Sequence, residues 1–184
     1  MAAQARATFH YSRIPSPVGP AHLLASERGL AAIYFGEQAP AMDRRFPPEE
    51  RGGLGRNLWL LRTEAFLHCY FSGDLDFSPE IALDLRGTPF QLAVWEELQG
   101  IPPGETACYG EIAKRVGRPQ ASRAVGAAIG RNPVSVLVPC HRVVGSTGKL
   151  TGYAGGLEVK RFLLHHERAC RDGRRDDSRR LLFE

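Results

Sequence analysis

The chain has 184 residues, 43% of them hydrophobic and 24% charged, and a formal net charge of +4. That is the composition of a soluble globular protein with room for one large domain or two small ones. It excludes a disordered or low-complexity chain, and no apolar run is long enough to span a bilayer. The opening MAAQARATFHYSR lacks the apolar core of a secretory signal, which predicts a cytoplasmic protein with no membrane contact. Cys69, Cys108, Cys140 and Cys170 show no C-x-x-C spacing, so neither a disulfide framework nor a thiolate metal site is implied.

In chain order, Ala7–Ile14 reads as a strand broken by Pro15-Ser16-Pro17. Ala21–Ala25 and Leu30–Phe35 then flank Glu27-Arg28-Gly29 as a hairpin. Residues 39–55, rich in Pro, Gly and charge, predict a loop. A helix is expected from Arg56 to Phe71, with Leu58, Leu61, Ala65 and Tyr70 among its apolar positions and Gly73 as its stop. Ile81–Leu85 predicts a short strand. His68-Cys69 on the helix reads as ordinary packing.

Gly87 marks a boundary. Thr88-Pro89 has the form of a helix start, with Thr as N-cap and Pro at the first helical position. Phe90, Val94 and Leu98 follow at helical spacing beside Trp95, and Gly100-Ile101-Pro102-Pro103-Gly104 ends the helix. Tyr109–Val116 and about Gln120 to Gly130 predict two short helices around Gly117-Arg118-Pro119, the pattern of a helix-turn-helix. A last helix, about Gly156 to Arg168, puts Val159, Leu163 and Glu167 in one line, while His165 and His166 read as surface residues. Arg171–Glu184 reads as a flexible Arg/Asp-rich tail. Net charge is −1 over residues 1–86, +4 over 87–170 and +1 over the tail, so the positive excess lies in the second segment. A phosphate-bearing partner suits that distribution.

Two features point to chemistry. In the second short helix, Ala121, Val125, Ala128 and Ile129 cluster opposite Arg123, whose own side carries Gly126, Ala127 and Gly130. Glycines there cost helix stability, about 1 kcal/mol each. A lone Arg among tiny residues suits a helix lying close against a partner. The second feature is Pro139-Cys140-His141-Arg142-Val143-Val144, read as an extended segment leading into the core. A cysteine beside a histidine is a candidate activated nucleophile, because the thiolate attacks. A carboxylate on an apolar helix stripe needs a partner if buried, and Glu167 suits a histidine.

With Pro139–Val144, Tyr109, Arg123, Asn132-Pro133, Tyr153-Ala154-Gly155-Gly156 and His166-Glu167 in this order, the chain resembles the O6-alkylguanine-DNA alkyltransferases. The resemblance is strong over about 87–169 and only architectural over 1–86. It implies an α+β protein. A small N-terminal sheet-plus-helix (RNase H-like) domain over 1–86 would precede a mostly helical, winged-helix-like domain over 87–170. Cys140 would accept the alkyl group from O6-alkylguanine, and from O4-alkylthymine, irreversibly and once. His141 would act on Cys140 through a water, held by Glu167. Asn132 would brace the turn and Tyr109 would donate a proton to the leaving guanine.

The resemblance further implies that Arg123 fills the space of a base flipped into the pocket, with Ala124, Gly126, Ala127, Gly130 and Arg131 along the minor groove of double-stranded DNA. Val143, Gly145, Ser146, Tyr153, Ala154 and Lys160 would line the pocket. A monomer is expected, with cooperative assembly on DNA left open. Some relatives hold zinc in the N-terminal domain; no Cys precedes Cys69, so no zinc and no cofactor are expected here. Ala154 replaces a Ser found in some relatives, which removes one hydroxyl from the pocket. The alternatives are a lesion-binding relative without transfer activity and a thiol hydrolase that regenerates Cys140.

Overall fold

The computed structural model describes residues 9–36 and 57–173. The expected loop at 39–55 and all but the first residues of the expected tail lie outside them. Strands β1 (His10–Ile14), β2 (Ala21–Ser26) and β3 (Gly29–Phe35) form an antiparallel meander in the order β1-β2-β3. The Ile81–Leu85 segment is reduced to one parallel bridge from Leu83 to Leu30.

Helix α1 (Leu58–Ser72) packs across this sheet. Asn57 caps it by accepting from the Trp59 and Leu60 amides, and Gly73 ends it at φ +94°, a left-handed conformation suited to glycine. The face assigned from sequence is corrected: Leu58 and Leu61 are 53% and 50% exposed, and Ala65 is exposed. Leu60, Thr63, Leu67 and Tyr70 go inward. Apolar residues lie on both sides of this helix, so periodicity could not choose between them; the sheet did.

Helix α2 (Pro89–Gln99) starts as expected, with Thr88 and Gln91 in a reciprocal capping box. Val94, Trp95 and Leu98 are fully buried, and the Trp95 indole donates to Ala128 O at 2.9 Å. A Cβ on Gly87 would come within 2.7 Å of that ring, so the boundary glycine is required by close approach. β4 (Ala107–Cys108), α3 (Tyr109–Arg115) and α4 (Ser122–Ile129) follow, α3 and α4 forming the expected helix pair. β5 (Val143–Val144) runs parallel to β4, pairing Ala107 with Val143 and Cys108 with Val144. α5 (Leu157–Arg171) closes the described structure.

One hydrophobic cluster joins the two halves, with Leu23, Ile33, Leu67 and Tyr70 from the first and Val94, Trp95, Val125, Val138 and Leu163 from the second. Backbone bonds cross as well: the Ile33 amide donates to Pro133 O at 2.9 Å, and the Ser135 amide to Ile33 O at 3.3 Å. The loop that leads to Cys140 is thereby fastened to the edge of the N-terminal sheet. The mixed α+β architecture is as expected.

Candidate active site

Cys140–Arg142 form a single 3-10 turn, which corrects the extended segment expected there. Side chains in such a turn fan out at about 120° per residue. Even so, His141 and Arg142 both reach one partner, the Glu167 carboxylate. All three are buried.

The approach to the turn is tightly held. Asn132 donates through Nδ2 to Val138 O at 2.7 Å and accepts the Val134 amide on Oδ1 at 3.0 Å. Between them Val136 has φ +71°, a left-handed conformation that is an outlier for a β-branched residue. Strain of this kind persists only where the surroundings over-determine it, and the Asn132 clamp and the bonds to Ile33 do so here. Asn132 also lies near enough to the Cys140 thiol to favour its ionised form. Burial pushes that thiol upward, opposed by Asn132 and by the charge of Lys160. In the free protein Cys140 is a thiol that needs help to ionise.

Behind the turn lies Glu167, fully buried on α5. Its Oε1 accepts from His141 Nε2, Arg142 Nη2 and the Tyr70 hydroxyl, each at 2.8 Å. Its Oε2 accepts from Arg142 Nε and from the Gly104 amide, both at 3.0 Å. Gly104 sits at φ +73°, which turns its N–H inward. Burial would raise the carboxyl, but His141 and Arg142 outweigh it and hold Glu167 well below the usual carboxylate range. Glu167 is thus an anion gripped by donors.

That decides the histidine. Facing an ionised carboxylate, Nε2 carries the hydrogen, a tautomer assigned from the network. Burial lowers the His141 pKa despite Glu167 and so favours the neutral ring. Its Nδ1, buried and without a protein partner, is left as the acceptor.

Of the residues read as pocket lining, Val143 is buried in β5. Lys160 is fully buried, and its Nζ donates to Val143 O at 2.6 Å and Thr151 O at 2.8 Å. It ties the strand after Cys140 to the loop before Tyr153. Burial lowers its pKa, and the Cys140 side chain acts in the opposite sense. The buried Tyr153 hydroxyl makes no well-formed hydrogen bond; Ser135 and Cys140 are near enough to bear on its ionisation, which burial pushes upward. Gly145 closes a turn on Lys149, with Ser146 exposed on it, and Ala154 is exposed. Because β4 and β5 are paired, Tyr109, the first residue of α3, starts beside the acceptor strand. Its hydroxyl is 2.9 Å from Thr151 Oγ1.

On α4, Val125, Ala128 and Ile129 are buried, as expected, and Ala121 partly so. Arg123, Ala124, Ala127 and Gly130 are exposed, with Arg131 exposed just beyond. Gly126 faces the Tyr109 ring, where a Cβ would make only an ordinary contact at 3.6 Å. Internal packing therefore does not demand its smallness.

Sequence reasoning missed three participants. The sequence motif includes Arg142 but gives it no role, and nothing in its neighbour His141 indicates that both grip one carboxylate. Tyr70 lies ninety-seven residues from Glu167 in sequence, a distance no local pattern bridges. His166, expected at the surface, is buried: its Nε2 is 2.6 Å from Tyr70 O and its ring stacks on Phe162. His165 is exposed, as expected.

The family model for the 6-O-methylguanine DNA methyltransferase DNA-binding domain matches residues 89–169. The chain is 44% identical over 168 residues to a methylated-DNA–protein-cysteine methyltransferase of Methanosarcina acetivorans, an alignment spanning 88% of this chain and 100% of that one. It is equally identical to the protein of that name from Mycobacterium tuberculosis, over 88% of this chain and 93% of that one. Among solved structures, Mycobacterium tuberculosis OGT in complex with DNA superposes with a TM-score of 0.79 at 41% identity, over 95% of this chain and 99% of that one. These likenesses, which run over nearly its whole length, make the chain a member of the methylated-DNA–protein-cysteine methyltransferase family.

Proposed function

We propose that this protein repairs alkylated DNA by moving the alkyl group from guanine O6, or thymine O4, onto its own Cys140, once per molecule. The observation that carries the reading is the buried His141, whose Nε2 lies 2.8 Å from Glu167 Oε1 and whose Nδ1 has no protein partner beside the Cys140 turn. Nδ1 takes the Cys140 proton through a bridging water, and the resulting imidazolium is stabilised by Glu167, the logic of a relay triad. The thiolate sulfur displaces guanine from the alkyl carbon: the S–C bond forms as the C–O6 bond breaks. Tyr109 donates a proton toward the departing guanine, so that an anion need not leave. The thioether has no route back, and turnover ends there.

The alkyl carbon is out of reach inside the base stack, so the nucleotide must be flipped out, at a cost of a few kcal/mol that is least for a damaged pair. Helix α4 suits the minor groove of double-stranded DNA: Ala124, Gly126, Ala127 and Gly130 let its backbone approach, and Arg123 occupies the place of the extruded base. Arg131 and the positive excess over residues 87–170 favour contacts with phosphates of any sequence. Asn132 holds the turn. Val143, Gly145, Ser146, Tyr153 and Ala154 border the pocket, with Lys160 fixing its backbone from behind. The protein works as a cytoplasmic monomer, residues 87–170 carrying both DNA contact and acceptor and residues 1–86 supporting them.

Intact-protein mass spectrometry after incubation with a duplex containing one O6-methylguanine, followed by peptide mapping, tests this directly. One added methylene on Cys140, saturating at one per protein, is the expected result. Tight binding without a mass change would instead make the protein a lesion-recognition relative, and multiple turnovers would make it a hydrolase.

A further inference from the structure

We propose that Tyr70, on the N-terminal helix α1, is a positioning residue that holds down the basicity of the His141–Glu167 pair and so keeps Cys140 protonated in the free protein. This rests on the relay proposed above and extends it across the boundary between the two halves of the chain.

A carboxylate oxygen offers two lone-pair sites in its plane, four for the group as a whole. Glu167 Oε1 is asked to serve three donors at 2.8 Å: the Tyr70 hydroxyl, His141 Nε2 and Arg142 Nη2. One oxygen is crowded, and what Tyr70 takes from it is not available to His141. The hydroxyl cannot ease this by ionising, since burial and the neighbouring Glu167 charge push the Tyr70 pKa upward. Nor does Glu167 depend on Tyr70 for its place, because the Arg142 fork and the Gly104 amide hold it independently. Tyr70 therefore adds little to the position of the carboxylate and much to its charge balance.

The surrounding charges leave room for such an effect. Arg142 neutralises Glu167, so the protonated relay carries one positive charge, opposed to the Cys140 thiolate. Lys160 favours that thiolate and disfavours the imidazolium. Tyr153 lies near Cys140, and His166 packs its ring on Tyr70 at 5.2 Å between centroids. Among these groups Tyr70 is the neutral donor on the oxygen that pairs with His141, and it reaches there from the other half of the chain. Removing its hydroxyl while keeping its ring should let Glu167 pair more strongly with the imidazolium, and so favour the thiolate.

The experiment is the pH dependence of Cys140 alkylation by iodoacetamide in the full chain, alongside the pH profile of methyl transfer from an O6-methylguanine duplex. Tyr70→Phe should move the midpoint of Cys140 alkylation down by about half a pH unit, roughly threefold more thiolate below the midpoint. Glu167→Gln should move it up, and adding Tyr70→Phe to that variant should produce no further shift. If the amide variant does not fold, Glu167→Asp, which keeps the anion but withdraws it from His141 and Tyr70, should also raise the midpoint and shrink the shift produced by Tyr70→Phe. Leu67→Val, a core change one turn earlier on α1, should lower the melting temperature and leave the midpoint alone. An unchanged or raised midpoint in Tyr70→Phe would overturn the role of Tyr70 even if Glu167→Gln behaves as expected. A midpoint indifferent to Glu167 would overturn the relay itself.

Discussion

Helices α4 and α5 are both amphipathic, and they serve the protein in opposite ways. On α4 the buried side is ordinary, Val125, Ala128 and Ile129, and the exposed side is unusual: three small residues around one arginine. On α5 the unusual residues are the buried ones, Lys160, His166 and Glu167. A polar group on the surface is solvated whether or not it has a partner, so α4 can be shaped by what it must touch. A polar group in the core must be satisfied by the protein itself, so α5 is shaped by a network, and its functional residues are also structural ones. Function should therefore separate from stability on α4 and be inseparable from it on α5.

Cys140→Ala should have the strongest consequence: transfer is abolished, read by mass spectrometry, and duplex affinity is left intact. On α5, Glu167→Gln removes the anion from a buried cluster containing Arg142 and His141, where breaking a pair costs roughly 3–5 kcal/mol. Denaturant unfolding at neutral pH checks it. Because the folded Glu167 carboxyl lies below its unfolded value of 4.5, its contribution is present above that value and lost as pH falls toward the folded one. The variant should accordingly lose less stability than the parent on acidification below about pH 4.5. A variant with parental stability and unchanged acid sensitivity would mean that Glu167 contributes nothing to the fold.

On α4, Arg123→Ala should slow transfer from duplex DNA tenfold or so, since flipping opposes the reaction by a few kcal/mol, while reaction with the free base is spared. Its unfolding free energy should stay within about 0.5 kcal/mol of the parent, as for other exposed positions. Equal slowing on both substrates would remove the flipping role. The smallest effect is expected from Ala127→Leu: severalfold weaker duplex binding by salt-controlled titration, with the melting temperature unchanged. A marked loss of stability there would mean that the small face serves internal packing after all.

Much of this site was legible in the chain because its signals are local. Thr88-Pro89 spells a helix start through capping that needs no distant partner. Arg123 stands out because glycine and alanine around an arginine make a poor solvated face. Glu167 stands out because a carboxylate falls on an apolar stripe. What was illegible depends on long-range contact. Leu58 and Leu61 are as apolar as Leu60 and Leu67, and only the sheet beneath α1 decides which pair is buried. His166 looks like its neighbour His165 until Tyr70 and Phe162 surround it.

Residue types and local spacing alone carry the chemistry, a thiol beside an imidazole with a carboxylate one helix away, and the small-residue face around Arg123. Those follow from composition at fixed helical spacing. The tertiary structure alone decided the conformation of the acceptor turn, the union of Arg142, Tyr70 and Gly104 on one carboxylate, and hence the tautomer and charge of His141. Hydrogen bonds reach about 3 Å, and which groups come within that reach depends on how segments remote in sequence pack together.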